Sequence, residues 1–228
     1  MKAIDGNTGK TRVYVVDDHP LFRESLTNLI NQQSDMEVCG GSDSASRALR
    51  EIKASQPDLA IVDLALKESS GLELIKGIKA KMPQLAIIVL SMHEEEIYAE
   101  RSIRAGASGY VTKRESSTRI AAAVRDVLAG KLGVSNKIAA VFAKKFVSGR
   151  NSGDQSPLHA LSDRELEVFG LLGRGLATRE VAEKMNVSIK TVQAFCARIK
   201  QKLHLTTATQ LLREAIHWHD QNTDTLVL

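Results

Sequence analysis

Residues 11–22, TRVYVVDDHPLF, decide the fold. Val13, Tyr14, Val15 and Val16 make a run that is apolar at every position, which suits a strand covered on both faces. Asp17 and Asp18 end the run, and Pro20 then stands where the first turn of a helix tolerates a missing N–H. Strand, polar turn and helix form one βα unit, and the pattern returns. Strand-type runs stand at 13–16, 36–41, 59–62, 86–90 and 109–111, each followed by a helical pattern. Such alternation predicts a parallel sheet wrapped by helices. The first helix is expected to bury a stripe of Leu21, Phe22, Leu26, Leu29 and Ile30. The fifth should run over 116–129, where Gly130 stops it.

Working outward, 228 residues suit two compact units, and a hydrophobic fraction of 43% with 25% charged residues excludes a disordered chain. No apolar run approaches the roughly 18–20 residues needed to span a bilayer, and the first ten residues lack a signal-peptide core. A cytoplasmic protein without a membrane partner is therefore expected. Cys39 and Cys196 show neither paired nor metal-ligand spacing, which argues against a disulfide scaffold and a zinc site. Lys and Arg number 17 against 18 acidic residues over 1–130, but 14 against 9 over 131–228. From Lys184 to Arg213 six basic residues stand with no acidic one, a pattern that points to nucleic acid. Composition divides the chain into a first domain over 11–130, a partly helical linker over 131–157 and an all-helical domain over 158–222. In the last, Ser162 with Glu165 and Thr207 with Gln210 have capping-box spacing.

In an open parallel sheet, ligands sit beyond the carboxyl ends of the strands. Those ends carry Asp17-Asp18, Asp63, Ser91 and, just after the fifth run, Lys113. Three carboxylates held together repel one another unless a cation intervenes, and a hard dication such as Mg2+ accepts carboxylates, waters and phosphate oxygens. One aspartate could then act as nucleophile toward a phosphoryl group, with Lys113 neutralising charge.

The segments VYVVDDHP, AIVDLALKESSGLELI, IIVLSMHEE and AGASGYVTK together resemble the receiver domain of two-component response regulators, a doubly wound five-stranded, flavodoxin-like fold. The resemblance implies Asp63 as phosphoacceptor, phosphorylated by a sensor histidine kinase. It implies Asp18, Asp63 and the main-chain carbonyl of Ala65 as direct Mg2+ ligands, with Asp17 acting through water. Ser91, Tyr110 and Lys113 match the family's switch residues. One departure is visible: Leu66-Lys67 stands where relatives usually carry Met-Pro, although Gly71 keeps its place.

Laid on a helix from Ser188, residues Val192, Phe195, Cys196, Ile199 and Leu203 share one stripe, read here as core. The opposite face carries Lys190, Gln193, Ala194, Ala197 and Gln201. Small residues, an amide and the flanking Thr191, Arg198, Lys200 and Lys202 suit a helix that enters a major groove with cations on phosphates. A shorter helix before Asn186-Val187 completes helix-turn-helix spacing. The stretch LSDRELEVFGLLGRGLATREVAEKMNVSIKTVQAFCARIKQKL resembles the LuxR-type helix-turn-helix of NarL/FixJ response regulators. The resemblance implies promoter DNA and a homodimer, for which Leu211, Leu212, Ala215, Ile216 and Trp218 offer a long apolar face. Gln193 and Ala197 replace basic residues frequent in relatives, and Phe195 replaces a histidine.

The leading expectation is thus a transcription regulator switched by phosphorylation of Asp63, not an enzyme. The alternative keeps DNA binding but uses the first domain as a phosphorylation-independent dimerisation module. An aspartyl phosphatase would need a second carboxylate two residues past its nucleophile, where this chain has Ala65.

Overall fold

The computed structural model describes residues 9–66, 70–92, 96–147 and 157–223. Lys67, His93 and the 148–156 stretch of the expected linker lie outside the described residues. The described chain divides into two compact units, one built from residues 9–92 with 100–135, the other from 96–99 with 136–223.

In the first unit the five apolar runs become β1 (Thr11–Val16), β2 (Met36–Ser42), β3 (Leu59–Asp63), β4 (Ala86–Ser91) and β5 (Gly109–Thr112). All pair in parallel, in the order β2-β1-β3-β4-β5. The chain leaves β1 toward β2 and then crosses back to β3, so the switch point of the sheet falls between β1 and β3. Val13, Val15, Ile61, Ile88 and Val111 join one core with α1 (Pro20–Asn31) and α5 (Ser117–Leu128), which contribute Leu26, Ile30, Ile120 and Val124. The alternate strand residues Tyr14, Val16, Val62, Ile87 and Val89 are buried too. Their face meets α2 (Ala45–Ser55) and α3 (Gly71–Lys81), so the runs are apolar throughout because neither face meets water. The next helix along the chain is α4 (Glu96–Arg104), whose residues 100–104 belong to this unit and 96–99 to the second.

One expectation on α1 needs correction. Leu21 is 79% exposed, while Leu26 and Ile30 are buried and Phe22 and Leu29 pack partly on the core. At 100° per residue, Leu21 precedes Phe22 by a quarter-turn and falls outside the stripe. A second feature was not anticipated: the register of β1 on β2 passes from Val13↔Val38 to Tyr14↔Gly40, which leaves Cys39 as a bulge. A Cβ on Gly40 would lie 2.8 Å from the Tyr14 ring, so the missing side chain makes room for a fully buried tyrosine whose hydroxyl donates to Glu51 at 2.8 Å.

In the second unit, α6 (Asn136–Val147) occupies part of the segment expected as linker, and a 3-10 turn, Pro157–Ala160, leads into α7 (Asp163–Gly173), α8 (Thr178–Lys184), α9 (Ile189–Lys202) and α10 (Ala208–Thr223). Both capping boxes form: Ser162 and Glu165 satisfy each other's backbone N–H, as do Thr207 and Gln210. Asn186 takes a left-handed conformation (φ 52°), and Ser188 then caps α9 by accepting from the Thr191 N–H at 3.1 Å. The core is made by Leu166, Phe169, Val181, Val192, Ile199, Leu211 and Ala215. Trp218 lies 5.7 Å, ring to ring, from Phe169. Among the described residues no helix is long and apolar enough to cross a membrane.

Candidate functional site

The sheet brings the polar strand ends together. Val16 pairs with Val62 and Asp63 with Leu90, so Asp17 and Asp63 leave adjacent strands at one level, with Ser91 and Lys113 following on β4 and after β5. Asp17, Asp18, Asp63, Ser91 and Tyr110 are all buried. The Lys113 Nζ donates to Asp17 Oδ2 at 2.6 Å and to Asp63 Oδ2 at 2.7 Å, and stands 4.4 Å from the centre of the Phe22 ring. Its backbone N–H donates to the Ser91 carbonyl at 2.8 Å, tying the ends of β4 and β5.

The other carboxylate oxygens are held unequally. Asp17 Oδ1 accepts the His19 N–H at 2.8 Å, and Asp63 Oδ1 accepts the Ala65 N–H at 3.2 Å. Asp18 Oδ1 is buried without a well-aligned hydrogen bond, its nearby polar group being the His19 ring Nδ1 at 2.8 Å. Burial pushes the Asp63 carboxyl above its ordinary range; Lys113 opposes this and Asp17 adds to it. Three carboxylates thus share one ammonium in a water-poor pocket.

Behind Asp63 the chain is pinned by close approach. Gly71 donates its N–H to the Leu64 carbonyl at 3.0 Å, and Ala65 bridges Ser70. A Cβ at position 71 would lie 2.2 Å from the Asp63 carbonyl oxygen, so only glycine fits there. Sequence reasoning gave no role to His19. Its ring Nδ1 lies 2.8 Å from Asp18 Oδ1 and 3.3 Å from Asp17 Oδ1. Asp17, Asp18, His19 and Asp63 together could hold a metal ion, with ligand atoms all within 4.8 Å of one another.

The second candidate surface is α9. Lys190, Gln193, Ala194, Ala197 and Gln201 are exposed on one face, while Val192 and Ile199 are buried on the other. Phe195, expected in the core, is half-buried with the Arg198 guanidinium 4.8 Å over its ring. Cys196 is half-buried, and burial raises its thiol pKa, which leaves it a poor thiolate. Lys200 is half-buried and Thr191 serves the N-cap of α9. Sequence reasoning also missed a clamp: Lys202 Nζ donates to Glu165 Oε2 at 2.7 Å, and Arg198 Nε stands 3.4 Å from Oε1. Glu165 is nearly buried, so one α7 carboxylate holds two α9 cations that had been assigned to phosphates.

Comparison with known proteins identifies both domains. Residues 13–125 match the response regulator receiver domain, and residues 159–215 match the bacterial regulatory proteins of the luxR family. The chain is 33% identical over 199 residues to the DNA-binding transcriptional activator DevR/DosR of Mycobacterium tuberculosis, covering 87% of this chain and 91% of that protein. It is 32% identical over 209 residues to the oxygen regulatory protein NreC of Staphylococcus haemolyticus, with 90% and 96% covered. Among solved structures it resembles RcsB of Salmonella enterica serovar Typhimurium bound to promoter rprA in the presence of the phosphomimetic BeF3-. That likeness has a TM-score of 0.61 and 26% identity, and covers 90% of this chain and 98% of that one. With a receiver domain, a LuxR-type helix-turn-helix and near full-length relatives of the same build, the chain belongs to the NarL/FixJ-type response regulators, the DNA-binding transcriptional regulators of two-component systems.

Proposed function

We propose that Asp63 is the phosphoacceptor of a Mg2+-dependent switch that controls promoter binding by the helical domain, with a sensor histidine kinase as the phosphodonor. The observation that carries this reading is the buried Lys113 ammonium shared by Asp17 and Asp63 beside a third buried carboxylate, Asp18. The surplus of carboxylates, with ligand atoms of Asp17, Asp18, His19 and Asp63 all within 4.8 Å of one another, fits a dication that Asp18, Asp63 and the Ala65 carbonyl would hold directly and Asp17 through water. When bound, Mg2+ supplies charge neutralisation to the transferring phosphoryl oxygens. A carboxylate oxygen of Asp63 attacks the phosphorus of a phosphohistidine. The P–O bond forms as the P–N bond breaks, and the histidine nitrogen leaves with the electron pair and takes up a proton. Lys113 then exchanges a carboxylate partner for a phosphoryl oxygen, and Ser91 and Tyr110 carry the change outward.

The division into a receiver over 11–130, a linker over 131–157 and a DNA-binding domain over 158–222 belongs to the same proposal, as do a cytoplasmic setting and a homodimer on DNA. In the DNA-binding domain, Lys190, Gln193, Ala194 and Ala197 form the groove-facing set, flanked by Thr191, Arg198, Lys200 and Lys202, of which Arg198 and Lys202 reach phosphates only in competition with Glu165. The structure of RcsB bound to promoter rprA in the presence of the phosphomimetic BeF3- supports the reading that DNA binding and an occupied phosphorylation site go together. Incubation with acetyl phosphate and Mg2+, read by intact-mass spectrometry and promoter binding, tests the reading. One phosphate on the wild type, none on Asp63→Asn and tighter binding by the phosphorylated form are expected. A phosphate on Asp63→Asn would sink Asp63 as the sole acceptor, and a promoter affinity indifferent to phosphorylation would favour the phosphorylation-independent alternative.

A further inference from the structure

An ammonium has three N–H bonds to satisfy, and carboxylates account for two of those on Lys113, Asp17 Oδ2 at 2.6 Å and Asp63 Oδ2 at 2.7 Å. A third side faces the Phe22 ring, whose centre stands 4.4 Å from Nζ, within the range of a cation held on an aromatic face. The Lys113 side chain is only 4% exposed, so the contact is made away from water, where such an attraction is strongest. The ring has a fixed base. Phe22 packs partly on the core, and the next residue, Arg23, donates from its guanidinium to the Asp17 carbonyl at 2.6 Å, tying the first turn of α1 to the end of β1. Phe22 thus does more than fill the apolar stripe to which its spacing assigns it.

We propose that Phe22 is a positioning residue of the switch: its ring holds the Lys113 ammonium in place while the anionic partners change, and so sets how fully phosphorylation of Asp63 is passed to DNA affinity. The inference rests on the reading of Asp63 as phosphoacceptor and of Lys113 as the group that follows the phosphoryl charge. Before phosphorylation two carboxylates fix the ammonium, and the ring adds little to its position. Once Asp63 carries the phosphoryl group, the Asp63 carboxylate no longer holds Lys113, and Asp17 and the ring are the anchors from which the ammonium meets a phosphoryl oxygen. The ring therefore contributes more in the phosphorylated state than in the free one, which is the condition for a contact to bias a two-state switch. A leucine there keeps an apolar neighbour but loses the negative ring face, and the lysine regains rotamer freedom.

The full chain is made as wild type, as Phe22→Leu, and with mono-, di- and trifluorinated phenylalanine at position 22 alone. Fluorine draws negative charge off the ring face and leaves its size nearly unchanged, so it weakens the cation contact and spares the packing. Each protein is incubated with acetyl phosphate and Mg2+, and promoter affinity with and without phosphate is compared at equal phosphorylated fraction, read by intact mass. The wild-type gain in affinity on phosphorylation should fall by about threefold or more in Phe22→Leu and decline stepwise with the number of fluorines. The fluorine resonance of the monofluorinated ring is a second readout and should shift when Lys113→Ala removes the ammonium. An equal gain in Phe22→Leu and wild type overturns the proposal. A gain that Phe22→Leu lowers but the fluorinated rings leave unchanged overturns it too, because the bulk of the side chain then suffices, as does a fluorine resonance indifferent to Lys113→Ala. A wild type whose promoter affinity ignores phosphorylation sinks the switch itself and this role of Phe22 with it, a failure visible before any variant is made.

Discussion

At the scale of single residues, the pocket works because one ammonium is asked to serve more charge than it can balance. Lys113 bridges Asp17 and Asp63, and Asp18 stands beside them without a well-aligned hydrogen bond on Oδ1. Removing one partner of a buried ion pair costs about 3–5 kcal/mol because the remaining charges stay desolvated and unpaired. Lys113→Ala should therefore melt well below the wild type in a chelator, and Mg2+ should restore more of its stability than it adds to the wild type. Thermal denaturation with and without Mg2+ measures the difference. Equal Mg2+ effects on the two proteins would show that Lys113 and the cation do not share the same carboxylates. The same variant should still accept phosphate on Asp63, since the ammonium neutralises charge and supplies no nucleophile, but lose the coupling to DNA affinity.

At the scale of elements, α9 is divided between an exposed small-residue face, proposed to read DNA, and an end that is clamped. Gln193 is exposed on the small-residue face, so Gln193→Ala should cost roughly 1–3 kcal/mol on the specific site and spare random DNA. Lys190→Ala should weaken both and lower the salt slope by about one unit. Lys202→Ala should lower it by less, because Glu165 already neutralises that ammonium. Salt titrations of the two lysine variants compare them directly. Glu165 also carries a pH signature. Burial pushes its carboxyl up, but Lys202 and the Ser162 cap outweigh burial and leave it below its ordinary range. A group with a depressed folded pKa stabilises the fold above its unfolded value, about 4.3, and loses that contribution as pH falls through the folded one. Acid unfolding of Glu165→Gln should be flatter than that of the wild type below about pH 4.5, where the wild type gives up the clamp. Parallel acid-denaturation curves would remove Glu165 as the source.

At the scale of the whole molecule, α10 presents Leu212 and Ile216, 40% and 38% exposed, one turn apart, while Leu211 and Ala215 of the same helix are buried. If the proposed homodimer covers this exposed pair, Leu212→Glu with Ile216→Glu should reduce dimerisation on DNA without lowering the melting temperature by more than a surface change does. Sedimentation of the DNA complex reads the first effect and calorimetry the second. The strands, the pocket residues and the caps were legible in the sequence because burial on both faces forces apolar runs and because caps act over three residues. Leu21, His19, the Cys39 bulge and the Glu165 clamp were not. Each depends on where a side chain points or on a partner far along the chain, as with Glu165 and Lys202, 37 residues apart. Gly71 carries a further meaning. With no space for a Cβ between it and the Asp63 carbonyl, and with Ala65 bridged to Ser70, both ends of the loop after the nucleophile are anchored by main chain. Asp63 is thus held from its backbone side, so that any side chain added at position 71 would displace the carbonyl of the nucleophile itself and not a neighbouring stretch of surface.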